Sequence, residues 1–205
     1  MGQLRMENQR ILITGGEGYL GKALIAELES RNTIIHYIGD VRKRSRNKYK
    51  DIDCLIHFAS PINDADPERT SSTIIEGTVN MVKLAKKLDC RFIFASTMGI
   101  HTTDITDIYC TSKLAMENYI KSVYNNYLIL RIPRIYSKCR SKGLMLQLRH
   151  HKVSKEDLDK KIEFMPLEKF VTDTKFALGM GLSTGVFSYT GLQTETIQKI
   201  KEIYT

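Results

Sequence analysis

The chain has 205 residues, 42% of them apolar, enough for one sizeable hydrophobic core and a small appendage. Its 31 lysines and arginines against 23 acidic residues give a net charge of +8, which suits an anionic ligand. No apolar run approaches the roughly 18 residues of a membrane span, and the polar start does not resemble a signal peptide. The four cysteines (Cys54, Cys90, Cys110, Cys139) lack the C-x-x-C spacing of a metal site. Cys54 and Cys90 fall in or beside apolar segments, so buried free thiols in a reducing, cytoplasmic protein are expected.

After a loose lead-in over residues 1–8, a short apolar strand at about 10–14 runs into Thr14-Gly15-Gly16-Glu17-Gly18-Tyr19-Leu20-Gly21 and a helix over about 18–30. The spacing T-G-x-x-G-x-x-G is a variant of the dinucleotide-binding fingerprint. Gly15 takes the tight turn, Gly18 lets the backbone approach a pyrophosphate, and Gly21 lets the helix pack on the strand. The helix N-terminus then offers free N–H groups to the phosphates. A second strand from Thr33 to Ile38 ends at Gly39-Asp40, with Asp40 19 residues beyond Gly21. A carboxylate there suits the ribose hydroxyls of NAD. The basic run Arg42-Lys43-Arg44-Ser45-Arg46-Asn47-Lys48 just behind it suits the 2′-phosphate of NADP, and the choice stays open. Read alone, Asp40 is a turn residue and the basic run a solvated loop.

Only about a dozen residues separate Asp40 from the next buried strand, Ile52 to Pro61. That is too few for the extra helix and strand of a full dinucleotide-binding half, so one βα unit is expected to be missing or reduced. His57 lies inside this apolar run and is expected to be a core histidine. Thr70 to Leu88 is predicted as a helix, with an apolar stripe of Ile75, Val79, Val82, Leu84 and Ala85. Arg91 to Thr97 follows as a buried strand ending in the hydroxyls of Ser96 and Thr97, at the end of a parallel sheet where ligands bind. Tyr109-Cys110-Thr111-Ser112-Lys113 then opens a helix. Y-x-x-x-K puts Tyr109 and Lys113 one turn apart on one face, and a nearby ammonium is expected to lower the tyrosine pKa towards neutrality, making Tyr109 a general acid or base.

Together with Asp53 to Ser60, Gly77-Thr78-Val79-Asn80 and Leu130-Arg131-Ile132-Pro133-Arg134-Ile135-Tyr136, these motifs resemble the extended short-chain dehydrogenase/reductase family, the nucleotide-sugar epimerases, dehydratases and reductases. The resemblance spans about 120 residues in chain order. It implies an α/β Rossmann-like, doubly wound parallel sheet over residues 1–137 with bound NAD or NADP, and a reduced substrate-binding cap over 138–205. It further implies that Thr97, with Ser96, holds the substrate oxygen, that Tyr109 transfers the proton, and that Lys113 binds the nicotinamide ribose. Cofactor contacts would come from Thr14, Gly15, Gly18, Tyr19, Leu20, Gly21, Asp40, Arg42, Phe58, Ala59, Ser60, Tyr109, Lys113, Ile132 and Pro133. Substrate contacts would come from Ser96, Thr97, Met98 and Arg134.

The family's dehydratases carry Asp-Glu after the threonine. Met98-Gly99 stands there in this chain, which argues against a dehydratase. The loop His101–Asp107 is short. His101 is either a second acid or a plain loop histidine.

In the last third, helices are predicted near 143–151 and 154–161. Phe170-Val171-Thr172-Asp173, a short helix, a strand Gly185 to Tyr189 and a helix Thr194 to Ile203 capped by Thr194 resemble the family's closing elements. Arg131, Arg134, Arg140 and Lys142 are candidates for a substrate diphosphate, or a solvated face.

The leading expectation is an NAD(P)-dependent 4-keto-sugar reductase acting on a nucleotide-diphosphate sugar. The alternatives are an epimerase of the same family or a non-catalytic NAD(P) sensor or scaffold. RNA binding through the 42–48 run lacks the stacking aromatics of single-strand readers. A homodimer through the helices near 71–88 and 109–124 is expected from the resemblance, with Met81, Met116 and Tyr119 open to either an interface or a core role.

Overall fold

The computed structural model describes residues 7–61, 66–101, 106–140, 143–181 and 184–205. Its main sheet is built from apolar runs too continuous to face water on either side, which is the pattern of parallel strands covered by helices. These are β1 (Arg10–Thr14), β2 (Thr33–His36), β3 (Cys54–His57), β4 (Arg91–Thr97), β5 (Tyr127–Ile132) and β8 (Thr184–Ser188). The order is β2-β1-β3-β4-β5-β8, every pairing parallel. This is the expected Rossmann-like α/β fold.

Two apolar clusters flank the sheet. On one face α1 (Tyr19–Leu28) and α6 (Leu167–Gly179) cover Ile11, Ile13, Ile56, Ile93 and Leu130. On the other, α2 (Pro67–Leu88) and α3 (Ile108–Val123) cover Leu12, Leu55, Phe92, Phe94 and Ile129. Met81 and Met116 lie in this second cluster, 0% and 7% exposed, so they are core residues and not interface. Helix α2 begins earlier than predicted because Asp66 caps the N–H of Arg69 and Pro67 opens the first turn.

The shortened stretch after Asp40 contains no strand or helix among its described residues, and β3 pairs directly with β1. Strand β2 is therefore a sheet edge. The loop that replaces the missing unit blunts it: the Ile38 N–H donates to the Tyr49 hydroxyl at 3.0 Å, and Asn47 Nδ2 donates to the Ile38 carbonyl at 3.0 Å. Side chains thus satisfy backbone groups that a neighbouring strand would otherwise take. Cys54 and Cys90 are buried thiols, as expected; burial pushes both up to about 12.

A second, three-stranded sheet departs from the sequence reading. The apolar run after Leu130 splits into β5 and a separate β6 (Ile135–Tyr136), which pairs with β7 (Lys161–Pro166). β7 pairs antiparallel with β9 (Gln193–Thr196). The alternation in Lys161-Ile162-Glu163-Phe164 is the strand signal that went unused. The last helix, α7 (Ile197–Tyr204), consequently starts after Thr194 and is capped by Thr196, which accepts from the Lys199 N–H. Phe170 to Asp173 belong to α6. The short helices α4 (Leu144–Arg149) and α5 (Lys155–Leu158) complete this lobe, whose core is Tyr136, Met145, Leu148, Phe164, Ile197 and Ile200. No helix among the described residues is long and apolar enough to cross a membrane.

Candidate active site

The carboxyl ends of β1, β3, β4 and β5 open onto a cleft of about 850 Å3 between the glycine turn, the start of α3 and the 133–140 segment. Gly15 sits at φ +69°, and a Cβ there would lie 2.6 Å from the Ala59 nitrogen. At Gly21 it would lie 2.3 Å from the Gly15 carbonyl oxygen. Only glycine permits either approach. Gly18 is the N-cap of α1 and supplies no capping side chain, and no acidic residue occupies the first turn, so the N–H groups there face the cleft uncompensated. Such a cradle fits the diphosphate of a dinucleotide.

Gly15, Gly18, Tyr19, Leu20, Gly21, Phe58, Ser60, Ile132 and Pro133 line this cleft, while Thr14, Ala59, Asp40 and Arg42 line an adjoining hollow. Thr14 also clasps two strands: its hydroxyl lies 2.6 Å from His57 Nδ1 and accepts from the Ala59 N–H at 3.2 Å. His57 is a core histidine, stacked near Phe92 and Phe94. Burial, reinforced by the charge of Lys113, pushes it down to about 3.

Thr97, Tyr109 and Lys113 converge on the cleft wall. Thr97 Oγ1 accepts from the Gly99 N–H at 3.1 Å. Asp107 caps α3 by accepting from the Cys110 N–H, which seats Tyr109 in the first turn and Lys113 one turn on. Lys113 is 2% exposed. Its ammonium donates to the Ala95 carbonyl at 2.7 Å and lies 4.7 Å from the Phe94 ring centroid and 5.6 Å from that of Tyr109. Burial pushes it down to about 7. The expected lowering of Tyr109 is reversed. Burial and the neighbouring Cys110 and Asp107 raise it, against Arg140 and a hydrogen bond with Ser60. An ammonium half-neutralised by its own desolvation has little charge left to stabilise a phenolate.

Two predicted substrate contacts are committed elsewhere. The Ser96 hydroxyl donates to Glu117 Oε1 at 2.6 Å, and Arg131 donates to both oxygens of the same carboxylate, at 2.8 Å to Oε2. Glu117 has no exposed surface; burial opposes its ionisation, but donation from Arg131 and Ser96 prevails and holds it below its ordinary value. This node joins α3 to β4 and β5. Sequence reasoning missed it, although Glu117 stands four residues beyond Lys113 on one helix face.

Arg140 stacks against Tyr19 and Tyr136, 5.5 and 5.8 Å from their centroids, and donates to the Ile135 carbonyl. Tyr19 donates to Ser137 Oγ at 2.7 Å, so the start of α1 is tied to the loop after β6. Arg134 lines the cleft. Met98 begins a 3₁₀ turn ending at His101 and is not among the cleft-lining residues. Lys142 and residues 102–105 lie outside the described residues.

A glycine-turn Rossmann sheet with a threonine, a tyrosine and a lysine meeting at the ends of its central strands is the architecture of an extended short-chain dehydrogenase/reductase. The chain belongs to the NAD-dependent epimerase/dehydratase family, whose profile matches residues 11–157. It is similar to UDP-glucuronic acid decarboxylase 1 of Danio rerio, 29% identical over 120 residues that cover 46% of this chain and 29% of that protein. It is also similar to UDP-glucuronic acid decarboxylase 6 of Arabidopsis thaliana, 27% identical over 46% of this chain and 35% of the relative. The chain spans about a third of the length of these relatives.

Among solved structures it resembles dTDP-4-dehydrorhamnose reductase of Bacillus anthracis in complex with NADP, with a TM-score of 0.75 and 17% identity over 97% of this chain and 80% of that one. UDP-N-acetylglucosamine 4-epimerase of Methanobrevibacter ruminantium gives a TM-score of 0.79 at 16% identity over 96% and 81%. At such identities the likeness is one of fold.

Proposed function

We propose that the chain is an NAD(P)-dependent oxidoreductase acting on a nucleotide-activated sugar, with reduction of a 4-keto-sugar as its reaction. The observation that carries this reading is that Thr97, Tyr109 and Lys113 line the same cleft as the glycine turn. The nicotinamide, when bound, supplies the hydride. The Thr97 hydroxyl donates to the substrate carbonyl oxygen. Tyr109 gives its phenolic proton to that oxygen as it becomes an alkoxide, so a ketone plus hydride plus proton leaves as an alcohol. Burial keeps the Tyr109 phenol protonated at neutral pH, so it starts as the donor, but the raised pKa makes it a weaker acid and the transfer relies on the greater basicity of the alkoxide. Lys113 fixes the wall through Ala95 and orients the ribose. Arg134, which lines the cleft as Lys22 and Arg140 do, is the residue we assign to a substrate diphosphate. Ser96 acts here by holding Glu117, and its contact with substrate is indirect.

The test is titration of the purified protein with NADH and NADPH, followed by a panel of 4-keto nucleotide sugars monitored by cofactor oxidation. Tyr109→Phe is expected to bind cofactor as the wild type does and to lose turnover by about a thousandfold, within the range for removing a general acid. Binding of neither cofactor would defeat the reading. Interconversion of stable UDP-sugars without net cofactor oxidation would replace the reductase by the epimerase.

A further inference from the structure

Two hollows meet at Asp40. One, of about 330 Å3, is lined by Thr14, Gly15, Ala59, Arg42 and, from α2, Arg69, on the side of the glycine turn. The other, of about 910 Å3, is lined by Lys43, Arg44 and Arg46. The basic run therefore lies beyond Asp40 from the glycine turn, and Arg42, which does line the first hollow, is spent on Asp40. Its Nε donates to both carboxylate oxygens at 3.0 and 3.1 Å, and its Nη2 to Oδ2 at 2.7 Å.

The segment carrying Asp40 is a tight turn. The Lys43 N–H donates to the Asp40 carbonyl at 3.0 Å, and the Arg42 N–H donates to Asp40 Oδ1 at 2.9 Å. The Asp40–Arg42 ion pair is a third or more exposed on both sides, so it holds the turn weakly by itself. What grips the turn from behind is α2. Asn80 Nδ2 spends one N–H on the Val41 carbonyl at 3.1 Å and the other on the Arg42 carbonyl at 2.8 Å. Gly77, three residues earlier on the same helix face, makes the room: a Cβ there would lie 2.9 Å from Val41 Cγ2. Gly77 and Asn80 are thus α2 positions that set where the turn sits.

We propose that Asn80 is a positioning residue which, through Val41 and Arg42, fixes the Asp40 carboxylate at the adenosine end of the cleft and makes the site select NAD(H) over NADP(H). The inference rests on the dinucleotide reading given above and names which dinucleotide. A fixed, ionised carboxylate accepts from a vicinal diol. A 2′-phosphate at the same point would bring a second anion against it; Arg42 is already committed and the remaining cations of the run lie in the other hollow, so it would have to draw on Arg69 of α2. The Arg42 pairing supports this by holding the Asp40 carboxyl down to about 2, so it is charged throughout the neutral range.

The experiment is direct titration with NADH and with NADPH, by calorimetry and by nicotinamide fluorescence, on the wild type, Asn80→Ala, Asn80→Ser and Asp40→Asn. The wild type is expected to bind NADH at least about tenfold more tightly than NADPH. Asn80→Ala should weaken NADH by about tenfold while NADPH changes by less than about threefold, so that the ratio collapses. Asn80→Ser, which keeps one donor, should fall between, and Asp40→Asn should collapse the ratio without involving α2. If the alanine variant does not fold, the isosteric Asn80→Asp replaces both donors by acceptors and carries the same expectation. A merely structural Asn80 would lower the melting temperature and weaken both cofactors in proportion, leaving the ratio unchanged. That result, or a wild type that prefers NADPH, overturns the proposal while leaving the dinucleotide reading intact. A wild type that binds neither defeats the dinucleotide reading itself.

Discussion

Lys113 is a buried cation held at a cost to the fold, and replacing it with methionine should stabilise the protein. The residue is 2% exposed; its ammonium donates to the Ala95 carbonyl and lies over the rings of Phe94 and Tyr109. Burial pushes it from 10.5 to about 7. That gap corresponds to about 5 kcal/mol of disfavour for the charged form at any pH below 7. Met matches the length and flexibility of the Lys stem and carries no charge. Against the gain stand the lost donation to Ala95, about 1 kcal/mol, and the lost contacts with the Phe94 and Tyr109 rings, together about another 1–2 kcal/mol. Lys113→Met should therefore gain about 2–3 kcal/mol at pH 6.

The sign with pH is fixed by the two protonation states. Between pH 7 and 10 the unfolded lysine holds its proton and the folded one has largely lost it. Unfolding then takes up a proton, and stability rises with pH by at most about 1.4 kcal/mol per unit. Below pH 7 both states are protonated and the contribution is flat. The chain has no tryptophan, so urea melts at pH 6, 7, 8 and 9 are best followed by circular dichroism. The advantage of the variant should shrink across that series as the wild type gains. A wild-type curve flat from pH 7 to 9 once the variant's own curve is subtracted, or a variant less stable at pH 6, would refute the reasoning.

Three other perturbations follow from single contacts. Glu117→Ala leaves the Arg131 guanidinium without its buried carboxylate and should cost about 3–5 kcal/mol in a urea melt, whereas a loss under about 1 kcal/mol would mean that the ion pair merely offsets its own desolvation. Gly21→Ala forces a Cβ to 2.3 Å from the Gly15 carbonyl and should abolish detectable NADH binding by fluorescence; retained micromolar binding would show that the turn yields more easily than its packing suggests. Asp89 ends α2 in the left-handed region at φ 50°, so Asp89→Gly should raise the melting temperature by a few degrees, roughly 0.5–1 kcal/mol, and no change would indicate that the Asp is unstrained there.

What the sequence made legible and what it hid divide along a physical line. The glycine turn, the hydroxyl-ended strand and the Tyr109–Lys113 pair are readable because local chemistry forces their spacing: a turn that must pass under Ala59, a strand that must end at the cleft, a helix turn that must present two side chains together. From chain order beside Thr97 and Pro133, Ser96 reads as a ligand contact and Arg131 as a diphosphate contact or a solvated face. Their actual partner, Glu117, is 21 residues from one and 14 from the other, and no local pattern reports it. The raised tyrosine and lowered lysine escaped for a related reason. Adjacency on a helix predicts the sign of a charge–charge effect, but burial here outweighs it, and burial is a property of the assembled sheet. β7 and β9 escape a local reading because their paired residues lie 29 to 35 apart, so that the end of a strand reads as the start of a helix.

The reduced sheet also explains why the candidate cleft keeps its walls in a shortened core. Every residue placed on the cleft or its adjoining hollow by β1, β3, β4 or β5 comes from the four internal strands, and each of these is paired on both sides. The unit that is missing between Asp40 and Ile52, as the sequence leads one to expect, would have lain beyond β2, outside that set. Its omission takes away no wall of the cleft. What it creates is an open sheet edge at Ile38, and the same short loop closes it with Asn47 and Tyr49, whose ring stacks on Tyr37 at 5.9 Å. The loop thus has two loads, capping the edge and carrying the Asp40 turn. The first ties it to β2 and the second to α2 through Asn80. A segment fixed at both ends in this way can hold a carboxylate in place without a helix and strand of its own.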